Sequence, residues 1–110
     1  MLKDWRNRLF KRSMNSYDIS FDELLQRQIL GGYIVDVRSE QEYAEGHLDG
    51  AINIPYYRIN ENIYNILKDR DNDIVLYCEA GVRSKKAYKK LISLQYKNVY
   101  NLYGGLNNWI

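Results

Sequence analysis

From Ser16 onward, short apolar runs alternate with stretches of helical periodicity, and that alternation admits few architectures. Residues 17–19 read as a short strand. Ser20 with Glu23 three positions later forms a capping box that opens a helix through Gln28, and Gly31-Gly32 ends it. Residues 33–37 are a continuous apolar strand interrupted only by Asp36. Ser39 with Glu42 is a second capping box, opening a short helix that stops at Gly46. Residues 51–54 read as a strand closed by Pro55. Ile59, Ile63, Ile66 and Leu67 then give residues 56–67 a helical spacing. A strand over 74–77, a helix over 82–94 and a strand over 99–102 complete the pattern. Gly104-Gly105 and a short turn holding Leu106 and Trp109 follow. Short apolar strands joined through helices predict an α/β fold with a mostly parallel sheet covered on both faces. Ligands in such sheets bind beyond the carboxyl ends of the strands. Asp36, Arg38 and Cys78 all fall at such ends and can share one crevice.

A chain of 110 residues, 45% of them hydrophobic, suits one compact domain with a real core. The net charge is +2, and most of the basic excess lies in the first twelve residues, so a nucleic-acid partner is not expected. Residues 1–15 form a separate compositional zone in which Lys3, Arg6, Arg8, Lys11 and Arg12 surround Leu2, Trp5 and Leu9. Those three apolar residues share one face of a helix, which can fold back on the domain, lie on an anionic membrane surface or dock on a partner. The domain proper is expected over residues 16–110. No apolar run approaches the length of a membrane span, and the basic start lacks the apolar stretch of a secretory signal. One cysteine excludes an internal disulfide and an internal resolving thiol. A reducing, cytoplasmic location is the simplest expectation.

That cysteine, Cys78, ends the apolar run 74–77, and a helical pattern begins at once after Gly81. A strand-to-helix loop of this length wraps its backbone N–H groups around one point, and the helix N-terminus adds partial positive charge. The environment stabilises a thiolate and an anion beside it. Gly81 lets the loop turn, and Arg83 can place a fixed positive charge near the same point. The loop therefore predicts a nucleophilic cysteine in an anion-binding cradle. Without the Gly, Arg and Ser at this spacing, Cys78 would read as a small buried hydrophobe.

Together these residues resemble the rhodanese family of sulfurtransferases. One motif is Asp36-Val-Arg38, then Glu42-Tyr43, Gly46-His47-Leu48, Gly50-Ala51 and Asn53-Ile54-Pro55. A second is the loop from Cys78 to Arg83 and Ser84, and a third is Gly104-Gly105 with Trp109. The resemblance covers residues 17–109. It implies a rhodanese-like fold: a five-stranded, mostly parallel sheet with helices on both faces. It also implies catalysis by Cys78, a substrate-binding loop of Glu79, Ala80, Gly81, Val82, Arg83 and Ser84, and no metal or cofactor. The implied reaction moves a sulfane sulfur through a Cys78 persulfide. The donor would be thiosulfate, polysulfide or a persulfidated protein. The acceptor would be a thiol, such as a thioredoxin-like protein, or cyanide. Asp36 and Arg38 are candidates for tuning the pocket from behind, with Glu42 or Glu45 as a partner for Arg38. His47 suits a structural hydrogen bond, and Trp109 suits packing of the last turn. Ser84 either donates to the sulfur or caps the helix.

One position departs from the family pattern. Active members often carry a basic residue directly after the cysteine, where this chain has Glu79. Pointing inward, that carboxylate would oppose dianionic thiosulfate; pointing outward, it would be screened by solvent. Two other function classes remain open. A non-catalytic interaction or sulfur-carrier module fits the same fold. A phosphatase or arsenate reductase fits less well, because phosphoryl recognition resembles a loop with five residues between Cys and Arg and this chain has four, from Glu79 to Val82.

Overall fold

The computed structural model describes residues 14–109. The amphipathic helix expected over residues 1–15 lies outside the described residues, except for Met14 and Asn15, which carry no regular structure. The elements run β1 (Asp18–Ile19), α1 (Phe21–Ile29), β2 (Tyr33–Asp36), α2 (Glu40–Glu45) and β3 (Ile52–Asn53). Two 3₁₀ turns (Tyr56–Arg58 and Glu61–Asn65) follow, then β4 (Asp73–Tyr77), α3 (Val82–Ser93), β5 (Asn98–Leu102) and α4 (Leu106–Trp109).

The strands form one five-stranded sheet in the order β1-β5-β4-β2-β3, and every pair is parallel. β4 is central, and Ile74, Val75, Leu76 and Tyr77 are fully buried, as a strand covered on both faces requires. Successive side chains alternate between two cores. Ile74, Leu76 and Cys78 face Val35, Val37, Ile63, Leu67, Ala87 and Leu91. Val75 and Tyr77 face Ile19, Leu24, Ile34 and Leu102, with Tyr43, Leu48 and Trp109 packed around them. α3 and the 3₁₀ turns therefore cover one face, and α1, α2 and α4 cover the other.

This order creates a switch point. From β2 the chain moves outward to β3, and from β4 it moves the opposite way to β5. The helices that follow β2 and β4 thus leave on opposite faces, and a crevice opens between the carboxyl ends of these two strands. β2 ends there at Asp36, paired with Tyr77 of β4, so Arg38 and Cys78 lie just beyond the same edge.

The two capping boxes differ. Ser20 accepts the Glu23 N–H at 3.2 Å, whereas Ser39 and Glu42 close both reciprocal bonds. The single helix expected over 56–67 is replaced by two 3₁₀ turns. Ile59 and Asn60 take extended backbone angles between them, and the Asn60 side chain accepts the Asn62 N–H at 2.8 Å. The periodicity still reported burial: Ile59, Ile63 and Leu67 are at most 3% exposed. Ile66, counted in the same pattern, is 52% exposed. Among the described residues, no helix is long and apolar enough to cross a membrane.

Candidate active site

Cys78 follows β4 directly and is 1% exposed. Gly81 caps α3 in the left-handed region (φ 94°), a conformation that disfavours any side chain. This turn aims the Gly81 N–H back at Cys78 Sγ, 3.0 Å away. Ser84, fully buried in the first turn of α3, sets its Oγ 3.4 Å from the same sulfur and 3.1 Å from the Gly81 carbonyl. A hydroxyl has one proton and two lone pairs. It accepts from the thiol while donating to Gly81, and it can turn its proton to a thiolate. The amides of Val82, Arg83 and Ser84 open α3 and have no acceptor within the helix. The loop thus aims the Gly81 N–H at the sulfur, with the Ser84 hydroxyl beside it.

The backs of the loop residues are also held. The N–H of Leu106 donates to the Cys78 carbonyl and that of Asn107 to the Glu79 carbonyl, each at 3.0 Å. Gly105 makes this approach possible. A Cβ there would meet those two carbonyl oxygens at 2.5 and 2.6 Å. With these carbonyls turned to α4, the backbone of the loop is fixed just ahead of Gly81, whose N–H meets the sulfur. Sequence reasoning did not assign this role to Leu106 and Asn107. The Gly104-Gly105 pair was its only signal, since main-chain donors leave no mark on residue identity.

Two ion pairs cross the top of the sheet beside the loop. The first is Arg83 with Glu42. Nη1 and Nη2 of Arg83 meet the two carboxylate oxygens of Glu42 at 2.6 and 2.9 Å. Hydrogen bonding to Arg83 holds the Glu42 carboxyl down at about 2, and the same contact raises the guanidinium. Glu42 is also the carboxylate that closes the α2 capping box on Ser39. Arg83 therefore ties α3 to α2, rather than presenting a free charge to the cradle.

The second pair is Arg38 with Glu79. Arg38 is 5% exposed and gives Nε and Nη2 to Asp36 at 2.8 to 3.1 Å, and Nη2 also to the Gly46 carbonyl at 2.6 Å. Its Nη1 meets Glu79 Oε1 at 3.3 Å. The hydrogen bonds to Asp36 raise the Arg38 guanidinium above its ordinary range. The expected partners Glu42 and Glu45 are thus displaced by Asp36, Gly46 and Glu79. Arg38 sits over the Tyr77 ring, 5.9 Å from its centre, on the face opposite Cys78. Asp36 and Arg38 meet the loop only through Glu79. The Glu79 side chain is 44% exposed, lying at the loop rim with its charge partly balanced. Ala80 and Val82 complete the loop, and Val82 is 64% exposed at the head of α3.

His47 is exposed and stacks on the Tyr43 ring at 3.7 Å, with Nδ1 2.8 Å from the Tyr43 carbonyl. Trp109 donates Nε1 to the Tyr103 carbonyl at 2.7 Å and packs against the second core. Among the described residues, no cluster of His, Cys, Asp and Glu has the number needed to hold a metal ion.

A parallel α/β sheet with one cysteine cradled at its switch point defines a class of protein, and a sequence comparison says which. The model of the Rhodanese-like domain matches residues 20–110, so the chain belongs to the rhodanese-like family. It is 36% identical over 74 residues to the thiosulfate sulfurtransferase PspE of Escherichia coli, covering 67% of this chain and 70% of that one. It is 38% identical over 81 residues to a tRNA uridine(34) hydroxylase of Buchnera aphidicola, covering 70% of this chain. The chain spans only 26% of the length of that relative. Among solved structures, the human single-domain sulfurtransferase superposes with a TM-score of 0.71 at 26% identity, covering 86% of this chain and 96% of that one.

Proposed function

We propose that this chain is a sulfurtransferase that carries a sulfane sulfur as a persulfide on Cys78. The observation that carries the reading is the buried sulfur at the head of α3, accepting the Gly81 N–H at 3.0 Å. The thiolate attacks the outer sulfur of a donor. The new S–S bond forms as the donor's own bond to that sulfur breaks, and sulfite or a thiolate leaves with the electron pair. A second nucleophile then takes the outer sulfur and returns the electron pair to Cys78. No metal is needed. The added sulfur stands ~2 Å beyond Sγ, which brings it from a buried position toward the loop mouth. The loop and helix amides stabilise its charge, as an oxyanion hole does in acyl transfer.

Two features favour a persulfidated protein over a small dianion such as thiosulfate as donor. Arg83 has both Nη atoms engaged by Glu42, and Glu79 adds a rim carboxylate. The engaged guanidinium also disfavours a phosphatase, which needs such a group to clamp a phosphoryl dianion. The test is the intact mass after exposure to polysulfide. One labile sulfur should add and be removed by a thiol, and Cys78→Ser should add none. Labile sulfur on the Ser variant overturns the reading. A persulfide that forms but passes to no thiol acceptor points to the sulfur-carrier module instead.

A further inference from the structure

α3 breaks a charge rule that the two preceding helices keep. α1 opens with Asp22 and Glu23, and α2 with Glu40 and Glu42, all placed well for the helix dipole. α3 has no acid in its first turn and carries Arg83 and Lys85 there instead. Lys86, Lys89 and Lys90 follow, so Lys85 with Lys89 and Lys86 with Lys90 are like charges four residues apart, a spacing that destabilises a helix. All four lysines are exposed, and among the described residues none of them makes an ion pair. Arg27, Arg38, Arg58, Arg83 and Lys97 have carboxylate partners, and outside α3 Lys68 and Arg70 are the described cations that share the lysines' lack of an ion pair. A local rule broken without compensation inside the fold marks a functional surface.

The surface lies beside the cysteine. α3 begins three residues after Cys78's neighbour Glu79, with exposed Val82 at its head. Lys86 reaches the Tyr56 ring, 5.8 Å from its centre, and the adjoining Tyr57 is 58% exposed. The mouth is thus basic and partly apolar on the α3 side. On the α2 side it carries Glu40, Glu42 and Glu79. The carboxylates on the second side are paired with Arg58, Arg83 and Arg38, so the uncompensated charge lies on the α3 side. A folded protein can present its acids to one side only.

We propose that the lysine face of α3 docks an acidic protein whose cysteine takes sulfur from Cys78. The proposal rests on the sulfurtransferase reading and names the acceptor class for it. The acceptor thiolate attacks the outer sulfur of the Cys78 persulfide. A new S–S bond forms on the acceptor, the old one breaks, and the electron pair returns to Cys78 Sγ. Unpaired lysines also raise the local concentration of an acidic partner, an effect that salt removes.

The test loads Cys78 from polysulfide and offers peptides of equal length with one cysteine flanked by glutamates, glutamines or lysines. The glutamate peptide should take sulfur roughly tenfold faster than the glutamine peptide at low salt, and the gap should close near 1 M salt, where the Debye length is ~3 Å. The double variant Lys85→Glu/Lys89→Glu should favour the lysine peptide, while transfer to uncharged 2-mercaptoethanol stays unchanged. Equal rates for the three peptides, or an equal loss with 2-mercaptoethanol, overturn the docking surface. If no sulfur loads, the sulfurtransferase reading fails. The surface is then judged by fluorescence anisotropy of the glutamate peptide with Ser in place of Cys. Salt-sensitive binding that the double variant abolishes supports it, and no binding overturns it. A single-stranded RNA oligonucleotide that binds the same face more tightly than the glutamate peptide overturns the choice of a protein partner.

Discussion

At the scale of single residues, Glu79 sets the electrostatics of the loop mouth. Arg38 carries one positive charge and serves two carboxylates. Asp36 holds it with three contacts of 2.8 to 3.1 Å, and Glu79 has one at 3.3 Å. Glu79 therefore keeps part of its negative charge, and at 44% exposure solvent screens much of the rest. Glu79→Gln should raise kcat/KM for thiosulfate roughly fivefold, the equivalent of about 1 kcal/mol, and change the rate with an uncharged persulfide donor far less. Steady-state kinetics with both donors measures the difference. No gain with thiosulfate would mean that Arg38 already neutralises the carboxylate.

At the scale of elements, one carboxylate joins α2 to α3. Glu42 closes the α2 cap and grips Arg83, so the order of the first helix sets the position of the loop that starts the second. Its carboxyl sits at about 2 in the fold against an ordinary 4.5. A depressed carboxyl stabilises the folded state fully above its unfolded value and loses that contribution as pH falls through the folded one. Glu42→Gln should therefore destabilise the protein at neutral pH by about 1 kcal/mol, a modest figure because roughly a third of each partner faces water. The gap between the two proteins should shrink as pH drops from 4.5 toward 2. Denaturant titrations at a series of pH values test this, and a gap that stays constant through that window sinks it.

Across the whole molecule, the chain's last turn stabilises a loop formed almost thirty residues earlier. Leu106 and Asn107 reach the carbonyls of Cys78 and Glu79 because Gly105 brings the two backbones into contact. Gly105 also has φ +66°, which an L side chain adopts at a cost. In Gly105→Ala the new Cβ meets backbone rather than a mobile side chain, so neither carbonyl can yield without losing its bond. The substitution should destabilise the fold by ~2 kcal/mol or more and slow sulfur loading of Cys78. Thermal unfolding and intact mass against time read the two effects. A variant with unchanged loading rate would show that α4 does not hold the loop in its working shape.

What was legible in the amino-acid order is what local interactions decide. Apolar runs marked β2 and β4 because burial on both faces leaves few polar positions to alternate, and Val99 with Leu102 marked β5 despite Asn98 and Asn101. Ser39 with Glu42 marked the start of α2 because a cap acts over three residues. The span from Cys78 to Ser84 marked the cradle because its contacts close within one turn of chain. Residues 56–67 misled, since the spacing of Ile59, Ile63 and Leu67 reports a buried side but not the backbone break at Asn60. Only the tertiary structure decided the long-range ionic partners. Glu42 and Glu79 each stand 41 residues from their arginines, and both arginines had several carboxylates at comparable sequence distance. Which pair forms depends on the order of the strands and on the faces from which α2 and α3 leave the sheet. Those are fixed by how the two cores pack, and no short-range pattern in the chain encodes them.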